Sequence, residues 1–279
     1  MVEYIVNMKI RRTKARVKLA ASCIIALVCV VGIGVSLYKI IEWRLEGDST
    51  KAQSAEAESL ATVQEKDDDD VEIIENNEKE DSLYWKYLKT KLIDVDFTEL
   101  KQKNSDTVGW IQVGGTNINY PFVQVSNNDY YLKHSFDKSY NSAGWVFADF
   151  RNRLDGQDKN LIIYAHGRYD GTMFGTLKNI LTNGWLNDSN NFIVRTASEK
   201  ESALWQVFST YRTPVTSDYI QTDFATTDEF GDFTQMIKNR SAHNFNTSVT
   251  SADKILTLST CYNDDRVVMH AKLIKRSVK

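Results

Sequence analysis

A cysteine, a histidine and an arginine carry the most chemistry this sequence offers, and each stands at the end of a strand-like run. Cys261 closes ILTLSTC and is followed at once by the polar turn YNDD, so its thiol is expected at a strand end, facing solvent or a groove. His166 follows the apolar run LIIYA and precedes Gly167, which puts it on a loop at a strand end in the same way. Arg266 lies across the turn from the cysteine, at the start of the final strand, where its guanidinium can return to the same end of the sheet. Nucleophilic cysteine chemistry needs a thiolate, a neighbour that moves a proton to the leaving group, and a donor for the developing oxyanion. These residue types supply all three, since an always-charged planar fork of donors suits a peptide carbonyl or its oxyanion.

The remaining histidines sit in different surroundings. His270 lies inside VVMHAKL, on one face of a strand, while His134 in YYLKHSF and His243 in NRSAHNF read as surface or structural residues. His166 is the favoured proton carrier among the four. Cys23 and Cys29 fall in an apolar N-terminal run, which leaves Cys261 alone in the rest of the chain and without an intrachain disulfide partner. An unpaired thiol in an exported domain is either buried and inert or chemically used.

Export is expected from the N-terminus. Leu19 to Tyr38 (LAASCIIALVCVVGIGVSLY) is free of charge, and at about 1.5 Å rise per residue it can cross a hydrocarbon core of about 30 Å. Lys9, Arg11, Arg12, Lys14, Arg16 and Lys18 precede it, so the N-terminus is expected in the cytoplasm and the rest outside. A cleaved signal peptide is the competing reading, but the apolar run is long for one and KIIEWRLEG offers no A-x-A-like cleavage site. A retained anchor is favoured. The domains expected are a basic cytoplasmic segment at 1–18, a membrane helix at 19–38, an acidic flexible spacer at 39–81 and an extracytoplasmic catalytic domain at 82–279. The spacer contains the run Asp67 to Asp70, which lacks the spaced Asp/Asn and Gly pattern of a calcium loop.

With 42% hydrophobic and 25% charged residues the chain has ordinary globular composition, and a net charge of −3 gives no basic surplus for nucleic acid. From Ser82 a helix is expected, with Leu83, Tyr84, Tyr87, Leu88 and Leu92 on one face. Short strand-like runs follow at 109–113, 118–123, 144–147, 161–165, 192–195, 204–211, 255–258 and 267–274, separated by Gly, Asn and Asp clusters. A second helix is expected at Thr227 to Asn239, between two late strands. Many short strands with few helices between them indicate a mainly β fold, an antiparallel sheet or closed barrel.

The combination of motifs resembles the sortase family. TLSTC followed shortly by Arg on a last strand is similar to the sortase active-site signature, and YAHG before GTMFGTL is similar to the sortase histidine segment. GWIQVGGTNINYPFVQ, NDYYLKHSF, AGWVFADFRN, the leading helix and the extra late helix look most like class B. One departure accompanies the resemblance, because the turn YNDD is shorter than in many class B members.

The resemblance implies an eight-stranded sortase β-barrel and catalysis by Cys261, His166 and Arg266. It also implies that Asn128, Leu132, Tyr219, Ile220 and Ser259 line a groove for a sorting peptide. The implied reaction is transpeptidation through a thioester. The donor is a secreted protein with a C-terminal sorting motif of NPxTx type, cleaved after Thr. The acceptor is an amine of a peptidoglycan precursor or a pilin lysine. Neither cofactor nor metal is implied, and the membrane is a partner through the N-terminal helix. The rival readings are a surface cysteine peptidase with water as acceptor, and a non-enzymatic wall-associated module.

Overall fold

The computed structural model describes the chain except residues 68–69 and 75–81, with backbone alone at residues 2, 3, 7, 10–13 and 15. The middle of the acidic run and the last seven residues of the expected spacer therefore lie outside the described residues. The chain divides into two compact units, Met1–Glu46 and Gly47–Lys279. The first is helical from Val2 onward, as part of α1 (Val2–Leu60), and has every residue of 16–41 exposed. This helix is long and apolar enough to cross a membrane.

In the second unit α1 ends against the domain and is followed by β1 (Thr62–Lys66), β2 (Glu72–Ile73), α2 (Leu83–Tyr87), β3 (Leu92–Asp96) and α3 (Thr98–Lys103). The barrel strands come next: β4 (Thr107–Val113), β5 (Asn119–Val123), β6 (Phe147–Ala148) and β7 (Asn160–Tyr164), then, after the short α4 (Asn183–Leu186), β8 (Ile193–Ala197) and β9 (Glu201–Pro214). The helix α5 (Thr227–Asn239) precedes the last two, β10 (Ile255–Tyr262) and β11 (Asp265–Val278). These eight strands run β10-β7-β6-β5-β4-β8-β9-β11, and β11 pairs back onto β10 to close the barrel. Closure removes the exposed edges that an open sheet of this size would carry.

The period-2 alternation of the late strands assigns their two faces. Leu256 and Leu258 of β10 and Val267, Met269, Ala271 and Leu273 of β11 point into the main core with Trp110, Phe122, Trp145 and Leu177. Ile255 of β10 and Val268 of β11 point outward beneath α5, where they pack with Phe208, Tyr211, Phe230, Phe233 and Ile237. The α5 start is capped by Thr226, whose side chain accepts from the Glu229 amide, while Glu229 reaches back to accept from the Ala225 amide at 2.7 Å.

Several stretches differ from the sequence reading, the run at 144–147 among them, of which only Phe147 lies in a strand. The helix expected from Ser82 to Leu92 stops at Tyr87, and Leu92 instead opens β3, which pairs antiparallel with β1. Nor is Gly47 to Lys66 a solvated spacer. Gly47, Thr50, Gln53 and Ala57 form one buried helical face, on which Gln53 accepts from the Asp137 amide at 3.1 Å and Thr50 from the Asn141 side chain at 3.3 Å. Small and polar residues allow the close approach, so no apolar stripe announces the contact. β2 adds to the outer edge of β11. Ala57→Asp, which puts a carboxylate at a position with 0% exposure, is expected to destabilise the domain by about 2–3 kcal/mol in urea denaturation. An unchanged midpoint would mean that this stretch of α1 is a spacer after all.

Candidate active site

The outward face of β10 continues beyond α5 and becomes the floor of a groove. Residues alternate along the strand, so Ser259 and Cys261 share the outward face with Ile255 and Thr257. Across the β10–β11 pairing Cys261 is directly opposite Arg266, and Tyr262 is opposite Asp265. Cross-strand partners project to the same side with Cβ atoms about 5 Å apart. The short turn therefore brings cysteine and arginine together: only Asn263 and Asp264 link the strands, with Asn263 at φ 53° in the left-handed region.

On its other side β10 runs parallel to β7, with Ser259 level with Tyr164. Two residues further along each chain come Cys261 and His166. The loop after β7 is fastened there, since Thr260 donates to the Ala165 carbonyl at 2.8 Å. Gly167 lies so close that a Cβ on it would overlap the Cys261 carbonyl oxygen. His166 is held from its far side: Nε2 donates to the Leu132 carbonyl at 2.9 Å. A carbonyl can only accept, so Nε2 carries a hydrogen and Nδ1 is left for exchange.

The three side chains border one groove of about 590 Å³. Asn128 and Leu132 stand on one wall, Tyr219 and Ile220 on the other, and Ser259 in the floor, so all eight residues singled out from the sequence border the same groove. Tyr219 is 3% exposed and its hydroxyl meets Ser259 Oγ at 2.9 Å. Burial pushes its phenol pKa up, against the lowering effects of the Ser259 bond and the Arg266 charge. Cys261 is half-buried, neither sealed nor fully open.

Arg266 is kept available by its neighbours. Asp265, the adjacent carboxylate, is engaged by Arg212 at 2.6 Å, and Arg212 also lies over the Tyr262 ring at 4.9 Å from its centroid. Among the described residues no carboxylate pairs with Arg266, whose Nη1 donates to the Asp265 carbonyl at 3.2 Å.

His270 is fully buried on the same outward face, beneath the groove. Its ring lies between the Tyr211 hydroxyl and Thr257 Oγ1, each at 2.9 Å. His134 stacks on Tyr130 with ring centroids 4.0 Å apart, and His243 lies against Phe245. Sequence reasoning missed Tyr164, Thr216 and Ser217, which also border the groove. Tyr164 could have been found, because it precedes His166 by two residues and shares its face. Thr216 and Ser217 lie in a loop without periodicity and gave no signal.

A family model described as a Sortase domain matches residues 111–274. Sortase B of Listeria monocytogenes is 35% identical over 190 residues, covering 65% of this chain and 75% of that protein. Among solved structures, sortase B from B. anthracis in complex with AAEK1 superposes with a TM-score of 0.67 at 31% identity, covering 83% of this chain and 99% of the other. A sortase B complexed with triglycine superposes with a TM-score of 0.60 at 36% identity, covering 64% of this chain and 85% of that chain.

Two expected outcomes follow from the geometry. Gly167→Ala must displace the His166 loop or the end of β10, and is expected to lower turnover about a hundredfold. Gly184→Ala, where a Cβ meets only Thr182 Oγ1 at 4.0 Å, an ordinary contact, should leave turnover unchanged; equal effects would refute the close-approach argument. Burial, aided by the Arg240 charge, pushes the His270 pKa from 6.5 down to about 3. Between those values the unfolded chain binds a proton that the folded chain does not. Stability is therefore full above about pH 6.5 and lost as pH falls, by at most about 1.4 kcal/mol per pH unit. Urea denaturation from pH 7.5 to 4.5 should show this loss, and His270→Gln should remove that part of it. An unaltered slope in the variant would disprove the assignment.

Proposed function

Because this chain belongs to the sortase family, we propose that it is a membrane-anchored cysteine transpeptidase joining secreted proteins to a surface amine. The observation that carries the reading is that Cys261, His166 and Arg266 border one peptide-sized groove. The Cys261 thiolate attacks the carbonyl carbon after a threonine in an NPxTx-type sorting motif, forming a C–S bond. Arg266 donates to the oxyanion, whose charge develops where, among the described residues, no carboxylate pairs with the guanidinium. Protonated His166 passes its proton to the departing amine as the C–N bond breaks, and a thioester joins donor to enzyme. An incoming amine then gives a proton to His166, attacks the thioester and releases the thiolate.

Asn128, Leu132, Tyr219, Ile220 and Ser259 are assigned to holding the donor peptide along the groove. The acceptor is an amine of a cell-wall peptide precursor or a pilin lysine, a class supported by the triglycine complex of the related sortase B. The charge-free run in α1 supports a single membrane anchor with the N-terminus in the cytoplasm and the catalytic domain outside. Tethering at that surface raises the effective concentration of membrane-borne donor and acceptor.

The test is incubation of the protein with NPxTx-type peptides and a panel of amines, with products identified by mass. Ligated products that scale with added amine are expected. Hydrolysis alone, unaffected by amine, would replace this reading with a cysteine peptidase. Cys261→Ala and His166→Ala should abolish turnover with little change in the thermal transition, as the thiol side chain is small and half-buried. Arg266→Lys should lower kcat/KM by about 10²–10³, because a point-charge ammonium does not reproduce the planar fork. Near-normal turnover would remove Arg266 from the site.

A further inference from the structure

Asp149 and Arg151 lie just after β6 and take no part in the chemistry above. The Asp149 side chain is fully buried. Its Oδ1 accepts from the Arg151 amide at 3.0 Å and Arg151 Nε at 2.8 Å. Its Oδ2 accepts from Arg151 Nη2 at 2.7 Å, the Tyr164 hydroxyl at 2.9 Å and Asn128 Nδ2 at 3.0 Å. Five donors fill the roughly four lone-pair directions of a carboxylate, so no acceptor capacity remains for substrate or for His166. Burial alone would raise the carboxyl pKa; the Arg151, Tyr164 and backbone bonds hold it below the usual carboxylate range.

The donors belong to different parts of the groove. Asn128 stands on the first wall, and its Oδ1 also accepts from the Phe150 amide at 3.0 Å. Tyr164 borders the groove beside the floor. The same Arg151 Nη2 that meets Asp149 donates to the Ile220 carbonyl at 2.8 Å, on the opposite wall. That wall is a loop after β9, tied elsewhere by Asp218 to Arg240 of the α5 C-cap and by Tyr219 to Ser259. Ile220 is thus the point where the loop is joined across to the first wall.

We propose that the Asp149–Arg151 pair is a brace joining the two walls of the groove, a positioning pair that sets affinity for the donor peptide without touching the reacting atoms. This rests on the reading of the groove as a sorting-peptide site. Arg151→Lys keeps a cation beside the buried carboxylate but loses the fork that serves Asp149 and Ile220 together. It is expected to raise KM for an NPxTx-type peptide about tenfold, the effect of one lost hydrogen bond from a charged group, with kcat within about twofold. The alkylation rate of Cys261 by iodoacetamide should be unchanged. Amide hydrogen exchange in residues 216–221 should quicken about tenfold, while exchange in β10 and β11 stays as in the parent protein. Asp149→Asn should act in the same direction. An unaltered KM together with unaltered exchange overturns the proposal, as does a fall in kcat accompanied by altered alkylation, which would place the pair in support of the thiol. Should the parent protein consume no donor peptide, the transpeptidase reading fails, and the brace stands or falls on the exchange at 216–221 alone.

Discussion

The site depends on the register of one strand. β10 is paired on both sides, antiparallel to β11 through Cys261 and parallel to β7 as far as Ser259, two residues before it. The first sets Arg266 opposite the cysteine, and the second carries His166 to the same level. A slip of one residue in either pairing would turn one partner to the opposite face. The apolar alternation of β10 and β11 resists such a slip, because it would bring Ile255 and Val268 inward and send Leu256, Leu258 and Met269 outward. Core packing and site geometry are therefore one constraint, and barrel closure supplies the rigidity that holds it.

Around that fixed floor the groove is assembled from less regular pieces. The His166 loop is tied to β10 by Thr260 and by the close approach of Gly167, and the far wall hangs on side-chain bonds through Asp218, Tyr219 and Ile220. Buried polar networks of this kind replace the ladder bonds that a loop cannot make. The division suits a reaction with two demands: reacting groups held to within a fraction of an ångström, and a peptide channel able to admit and release its donor.

Much of this was legible in the chain, and the boundary is physical. α5 could be read to its ends because a 3.6 period and an acidic first turn coincide there. β7, β10 and β11 could be read because their apolar runs are bounded by turn residues. Tertiary pairing defeated the reading elsewhere: Leu92 continues the apolar pattern of α2, yet its backbone is claimed by β1. Thr50, Gln53 and Ala57 dock α1 through small size and hydrogen bonds, which composition counts as spacer. Asp149 and Arg151, two apart in ADFRN, look like a surface ion pair until Asn128, Tyr164 and Ile220 are seen to meet them. Of the eight groove residues, Cys261, His166 and Arg266 were readable at strand ends from pattern alone, whereas Asn128, Leu132, Tyr219, Ile220 and Ser259 were reached only through motif resemblance.

The most direct measurement is the intact mass of the full-length chain in detergent, quenched in acid during turnover of an NPxTx-type peptide without added amine. A mass increase equal to the peptide's N-terminal fragment through threonine is expected. It should map to Cys261, be absent from Cys261→Ala, and disappear when an amine is added. An adduct on any other residue, or none while product accumulates, would contradict the thiol as the nucleophile on which the whole arrangement is built.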